Sequence, residues 1–238
     1  MAHEAGALLE VSALSAGYGA ARVLHDIELT VARGSTLAIL GRNGVGKTTL
    51  VETLIGLTDL HAGSIRLKGE PIEHWPAHRR NRFGLGWVPQ SREVFRSLTV
   101  EEHLTVVSRP GRWTPASVCQ LFPRLRERGA HRGGQLSGGE QQMLAIARAL
   151  VTNPEVLLLD EPVEGLAPVI VGQLMEAIAE MRRQGDLTVL LVEQKHDIAL
   201  AHSDHCIVLD HGSIRWTGPS ATLRDDAALL DRLLGVAH

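Results

Sequence analysis

Eight residues, Gly41 to Thr48 (GRNGVGKT), join an apolar run to a segment of helical character and fit the spacing GxxxxGK[ST]. Glycine at 41, 44 and 46 lets the backbone, with Asn43 among its residues, wrap closely around a polyphosphate, its N–H groups turned inward as an anion nest. A helix starting near Lys47 adds roughly half a positive charge at its N-terminus. Lys47 then reaches the β and γ phosphates and Thr48 offers its hydroxyl to Mg²⁺, while Thr49 is a local phosphate contact or a helix residue. A second element, VLLLDE at Val156 to Glu161, ends four apolar residues in two carboxylates. Ligands bind at strand ends in α/β sheets. Asp160 is placed there to hold Mg²⁺ and Glu161 to polarise a water attacking the γ phosphate; a solvated turn is the plainer alternative.

Such residues need rigid supports. Short apolar runs alternate with longer amphipathic ones, the pattern of a mainly parallel sheet covered by helices. Thr36 to Leu40, Val156 to Leu159 and Leu187 to Val192 are near-continuously apolar, as strands buried on both faces are. Pro168 to Gln184 is predicted as a helix, with Ile170, Leu174, Ile178 and Met181 on one face and Gly185 as its stop. From about Ser91 to Gln135 the chain turns polar and Arg-rich, with Pro110, Pro115 and Pro123 marking turns between short helices of an inserted lobe. Leu223 to Leu234 is predicted as one closing helix.

The third chemical element is LSGGEQ, Leu136 to Gln141. Locally, Ser137 and Glu140 form the SxxE capping-box pattern of a helix start. With this segment the chain resembles the ATP-binding cassette (ABC) family, over nearly its whole length. The resemblance implies an α/β P-loop NTPase (RecA-like) fold: a mainly parallel sheet with an antiparallel β portion and an inserted small helical subdomain. It implies one domain over 8–238, with 8–90 and 150–238 as the α/β core and about 91–149 as the helical part.

It also implies roles. Ser137, Gly138 and Gly139 bind the γ phosphate of ATP held by an opposite subunit. Tyr18, in GYG, is similar to the aromatic residue that stacks on adenine, against the plainer reading of a strand aromatic. Gln90, in GWVPQ, matches the glutamine that links nucleotide and Mg²⁺ to the helical lobe, and the residues after it resemble the surface receiving a coupling helix of the membrane subunits. Two positions depart from the family pattern. Gln194 in LLVEQKHD stands where a γ-phosphate histidine is usual, with His196 two residues on as the alternative sensor, and Ala167 replaces the usual aspartate of the following loop. Both departures resemble the branched-chain amino acid and urea or amide importer ATPases.

Bulk properties narrow the classes. The 238 residues are 44% hydrophobic and 21% charged with a net charge of −3, as in a globular protein and not a nucleic-acid binder held by charge. The Arg79, Arg80, Arg82 group and the Arg124, Arg126, Arg128, Arg132 group are expected to be solvated faces. Cys119 and Cys206 have no cysteine at metal or redox spacing, which fits a reduced compartment. The first ten residues carry Glu4 and Glu10 and no basic start, unlike a signal peptide, and no apolar stretch approaches the ~20 residues of a membrane span.

The implied machine is a pair of cassettes, each ATP buried between one phosphate loop and the partner's LSGGE, seated on transmembrane permease subunits at the cytoplasmic face of the membrane and served indirectly by a periplasmic or extracellular solute-binding protein, with no nucleic acid involved. Branched-chain amino acids lead as the transported solute, then urea or short amides. A soluble ABC ATPase acting on nucleic acid and a non-hydrolysing regulatory cassette are the other readings. Lys47, Asp160 and Glu161 together speak against the last.

Overall fold

A computed structural model describes residues 6–185 and 187–235. The reading of Glu4 at the start and the 238 end of the expected domain lie outside the described residues. In chain order the elements are β1 (Ala7–Tyr18), β2 (Ala21–Ala32), β3 (Thr36–Leu40), α1 (Lys47–Ile55), β4 (Asp59–Leu67), β5 (Glu70–Pro71) and α2 (Ala77–Phe83). Next come β6 (Leu85–Val88), α3 (Val100–Val107), α4 (Pro115–Leu121), α5 (Pro123–Glu127), α6 (Gly138–Leu150), β7 (Val156–Asp160) and α7 (Pro168–Gly185). The chain closes with β8 (Thr188–Val192), α8 (His196–Ala201), β9 (His205–Asp210), β10 (Ser213–Pro219), α9 (Ser220–Asp225) and α10 (Ala227–Leu234). These form two compact units, one of residues 1–80 with 188–238 and one of residues 81–187. The helical segment around 91–149 thus falls in one unit with β6, β7 and α7.

In the first unit, β2, β1, β4 and β5 form an antiparallel sheet in that order. Strand β3 runs parallel to both β8 and β9, and β10 returns antiparallel on β9. Every residue of β3 and β8 is buried, which is why neither strand shows hydrophobic alternation. Ala38 and Leu40 of β3 pack with Leu200, Val208, Leu223 and Leu230 in one core cluster. The expected single C-terminal helix is instead two. Asp226 separates α9 from α10, and its carboxylate accepts from the Leu229 amide at 2.9 Å, so an N-cap interrupts what apolar periodicity alone reads as continuous.

In the second unit, β6 and β7 pair in parallel, and all five residues of β7 are buried. Helix α6 buries Met143, Leu144, Ile146, Ala147 and Leu150 among α3, α4 and α5. Pro115 and Pro123 occupy the first turns of α4 and α5, so they start helices as well as punctuate turns, their missing N–H being unneeded there. His103 is fully buried and secures the loop ahead of α3: its Nε2 accepts from the Phe95 amide at 3.0 Å while Nδ1 lies 2.7 Å from the Thr99 carbonyl. Helix α7 buries Leu174, Ile178 and Met181, as its spacing predicts, while Ile170 of the same expected face is only half-buried.

Candidate nucleotide site

The glycine turn leaves buried β3 and enters α1 at Lys47. Gly41 has φ 149°, and a Cβ there would lie 2.4 Å from the Leu209 carbonyl oxygen. Gly46, at φ 109°, caps the helix with no side chain to intrude. Only glycine satisfies both places, so the turn's sequence follows from its path. Lys47 is 5% exposed and donates from Nζ to the carbonyls of Gly41 (2.9 Å) and Arg42 (3.1 Å). The ammonium is therefore carried inside the turn. Asn43, Gly44 and Thr48 are exposed at its outer side, and Thr49 is buried behind it.

Gln194 and His196 line one cleft with Gly41, Arg42 and Asn43, and Leu234 and Gly235 share its lining. Both sensor candidates thus stand beside the turn. Tyr18 ends β1 and is 47% exposed as a residue, and its hydroxyl donates to the Glu52 carboxylate and lies 3.4 Å from Thr49 Oγ1. Burial, then the bond to Glu52, pushes the phenol above its usual pKa. It stays a proton donor. Tyr18, residues 41–49 and Gln194 all belong to the first unit.

Gln90, the signature residues and the two carboxylates belong to the second. Asp160 is the last residue of β7 and 1% exposed; Glu161 follows, 8% exposed, at φ 48°. A left-handed non-glycine residue costs about 1–3 kcal/mol and persists only where its surroundings impose it. The amide of Gln90 donates to Glu161 Oε2 at 3.2 Å and to Glu164 Oε2 at 2.6 Å, so one side chain bridges two carboxylates. Buried acids on a held strand end are not the solvated turn of the plainer reading.

Ser137 caps α6, accepting from the Glu140 amide at 3.3 Å while Glu140 accepts from the Ser137 amide at 2.8 Å, the reciprocal box read from SxxE. Burial pushes the Glu140 carboxyl up, but the Ser137 amide and hydroxyl and the Arg128 guanidinium outweigh it and hold it below the usual range. Ser137 and Gly138 are exposed, leaving this helix tip open to an outside anion. Ala167 directly precedes α7, its carbonyl accepting from the amides of Ile170 and Val171 while its methyl caps nothing.

Four residues escaped the sequence reading. Glu52 and Glu164 hold the two site residues already named, and Arg92 donates to Gln142 Oε1 at 2.9 Å. Arg148 donates to the carbonyls of Glu93 (2.7 Å) and Arg92 (3.1 Å), both left-handed at φ 48° and 63°. Arg92 follows Gln90 by two residues, and Glu52 and Glu164 follow Thr49 and Glu161 by three, yet none belongs to the motif's own spacing; Arg148 offered no local signal.

A buried strand passing through a glycine turn into a helix, with lysine inside the turn, defines a P-loop nucleoside triphosphatase. The ABC transporter family model matches residues 24–164. The high-affinity branched-chain amino acid transport ATP-binding protein BraG of Pseudomonas aeruginosa is 42% identical over 236 residues, covering 96% of this chain and 100% of that protein. The probable branched-chain amino acid transport ATP-binding protein LivF of Archaeoglobus fulgidus is 36% identical over 234 residues, covering 96% and 99%. A nucleotide-free ATP-binding cassette from an ABC transporter shares the fold with TM-score 0.81, covering 95% of this chain and 98% of that one at 23% identity. This chain belongs to the ABC transporter ATP-binding family. It is a nucleotide-binding ATPase of the α/β P-loop class, with mixed parallel and antiparallel strands.

Proposed function

We propose that this chain is the ATP-hydrolysing subunit of an importer for branched-chain amino acids, working as one ABC ATPase domain over residues 8–238. The observation that carries the ATPase reading is Lys47, held inside a glycine turn by the carbonyls of Gly41 and Arg42. An ammonium so placed meets an entering polyphosphate without first being reoriented. The solute reading rests on the likeness to BraG and LivF along nearly their full lengths, together with Gln194 and Ala167 at the two departing positions.

In this reading the amides of Gly41, Asn43, Gly44 and Gly46 with Lys47, Thr48 and Thr49 receive the phosphates, and Tyr18 receives adenine. Glu161 orients and polarises the attacking water, and Gln194 donates to the γ phosphate without a charge change near neutral pH. Thr48, Asp160 and Gln90 are the residues that would hold Mg²⁺, which supplies charge neutralisation at the β and γ phosphate oxygens. The residues are of the donor types such an ion takes, since a cation sharing nucleotide oxygens needs only a hydroxyl and a carboxylate or amide oxygen from the protein. Ser137, Gly138 and Gly139 complete the ATP site of a second cassette, which is a copy of this chain or a related one.

No helix among the described residues is long and apolar enough to cross a membrane. In this reading the chain is attached to the cytoplasmic face through permease subunits, supplied with solute by a separate binding protein. The test is a pair of variants measured for nucleotide affinity and turnover. Lys47→Ala is expected to weaken ATP binding by at least about a hundredfold, from the loss of a charge contact of roughly 3–4 kcal/mol. Glu161→Gln is expected to bind ATP, turn over at least about a hundredfold more slowly and accumulate as a closed dimer. Undiminished affinity in the first, or parental turnover in the second, refutes the assignments; in cells, leucine uptake unaffected by Glu161→Gln refutes the solute.

A further inference from the structure

Tyr18 is the one tyrosine of the chain, and the reading that it receives adenine leaves open why tyrosine stands there and not phenylalanine. Stacking uses the ring face alone. The hydroxyl, however, is committed: it donates to the Glu52 carboxylate and lies 3.4 Å from Thr49 Oγ1. Both partners are on α1, whose first turn carries Lys47 and Thr48. Beyond Tyr18 the chain is pinned again, the Gly19 amide donating to Asp59 Oδ2 at 2.7 Å. Two carboxylates separated in sequence from the tip of β1 thus fix both the phenol and the backbone that follows it.

We propose that Glu52 is a positioning residue for nucleotide binding, setting the plane of the Tyr18 ring and fixing it to the helix that presents the phosphate-binding residues. This rests on the reading of Tyr18 as the adenine platform and extends it to a carboxylate that touches no part of the nucleotide. A half-exposed aromatic ring free to rotate must be ordered when a base stacks on it, which costs about 0.5–1.5 kcal/mol. The bond to Glu52 removes that cost in advance. It also sets the separation of base platform and phosphate turn through one rigid helix, so the benefit belongs only to ligands with both a base and a polyphosphate.

The experiment measures equilibrium affinities of the full chain for ATP and for inorganic tripolyphosphate, in Tyr18→Phe, Glu52→Ala, Glu52→Gln, Tyr18→Ala and the double variant Tyr18→Phe/Glu52→Ala. Loss of pre-ordering predicts an ATP affinity about 3- to 10-fold weaker in Tyr18→Phe and in Glu52→Ala, with the double variant no weaker than either. Glu52→Gln, whose amide oxygen still accepts from the phenol, recovers most of the loss. Tripolyphosphate affinity stays at the parental value in all of them, because the phosphate turn is untouched. Equal weakening toward tripolyphosphate marks a general defect of α1 and overturns the proposal. So does additivity of the two single losses, or parental ATP affinity in Glu52→Ala beside a large loss in Tyr18→Ala. Parental ATP affinity in Tyr18→Ala overturns the adenine reading itself, and the positioning role with it.

Discussion

Arg80→Met tests whether one buried guanidinium holds the end of α1, the helix that follows the glycine turn. Arg80 is 3% exposed and donates to four main-chain carbonyls: Trp75 (2.9 Å), Thr53 (2.7 Å), Leu54 (2.8 Å) and Glu73 (2.7 Å). Thr53 and Leu54 lie in the last turn of α1; the Gly56 amide donates to the Thr53 carbonyl at 3.1 Å, and the guanidinium gives that carbonyl a second bond and the Leu54 carbonyl one of its own. Burial pushes its pKa down and the Glu73 carboxylate pulls it partly back. Methionine keeps the apolar stem but strands the acceptors. At about 1–3 kcal/mol per buried unsatisfied group, with some carbonyls relaxing to water, the net loss is about 3–5 kcal/mol. With a urea dependence of about 3 kcal/mol per molar, the unfolding midpoint followed by far-UV circular dichroism falls by about 1–1.7 M. Arg80→Lys, a point charge without the planar fork, is expected to lose about half as much. A midpoint for Arg80→Met within about 0.2 M of the parent refutes the helix-capping role.

Gln194→Ala is expected to slow ATP turnover at least about tenfold while His196→Ala stays within about twofold, since an oriented donor to developing phosphate charge is worth that much; slowing by the histidine change alone exchanges the two assignments. Cys206 is fully buried, and burial raises its thiol pKa from 9.0 to about 11. Its folded pKa exceeds the unfolded one, so its contribution to stability is complete below pH 9 and is lost as pH rises toward 11. Urea midpoints measured from pH 8 to 10.5 are therefore expected to fall more steeply in the parent than in Cys206→Ala, and equal slopes refute this.

The parts of the site legible in the sequence are those built from neighbours in the chain. The turn at residues 41–48 needs its glycines because the path of that turn leaves no room for a Cβ at Gly41, and the Ser137–Glu140 box closes within one helical turn. Likewise the three apolar runs are strands because a strand covered on both faces has no polar side to show. The closing helix was misjudged because apolar periodicity continues across Asp226, whereas the cap that divides it is a single side-chain bond.

The chain's local order of residues already declares the chemistry on offer: a glycine turn with its lysine, a carboxylate pair and a capped glycine helix tip. Tertiary structure alone decided which other residues hold them. Arg80 was grouped with Arg79 and Arg82 as solvated, yet it is buried against carbonyls up to 27 residues away; Tyr18 meets Glu52 across 34 residues, and Gln90 meets Glu164 across 74. The physical reason is that a guanidinium or carboxylate is the same residue whether water or a buried partner satisfies it. Local periodicity records which face of an element is apolar; the partner of a polar group is set only when distant segments are brought together.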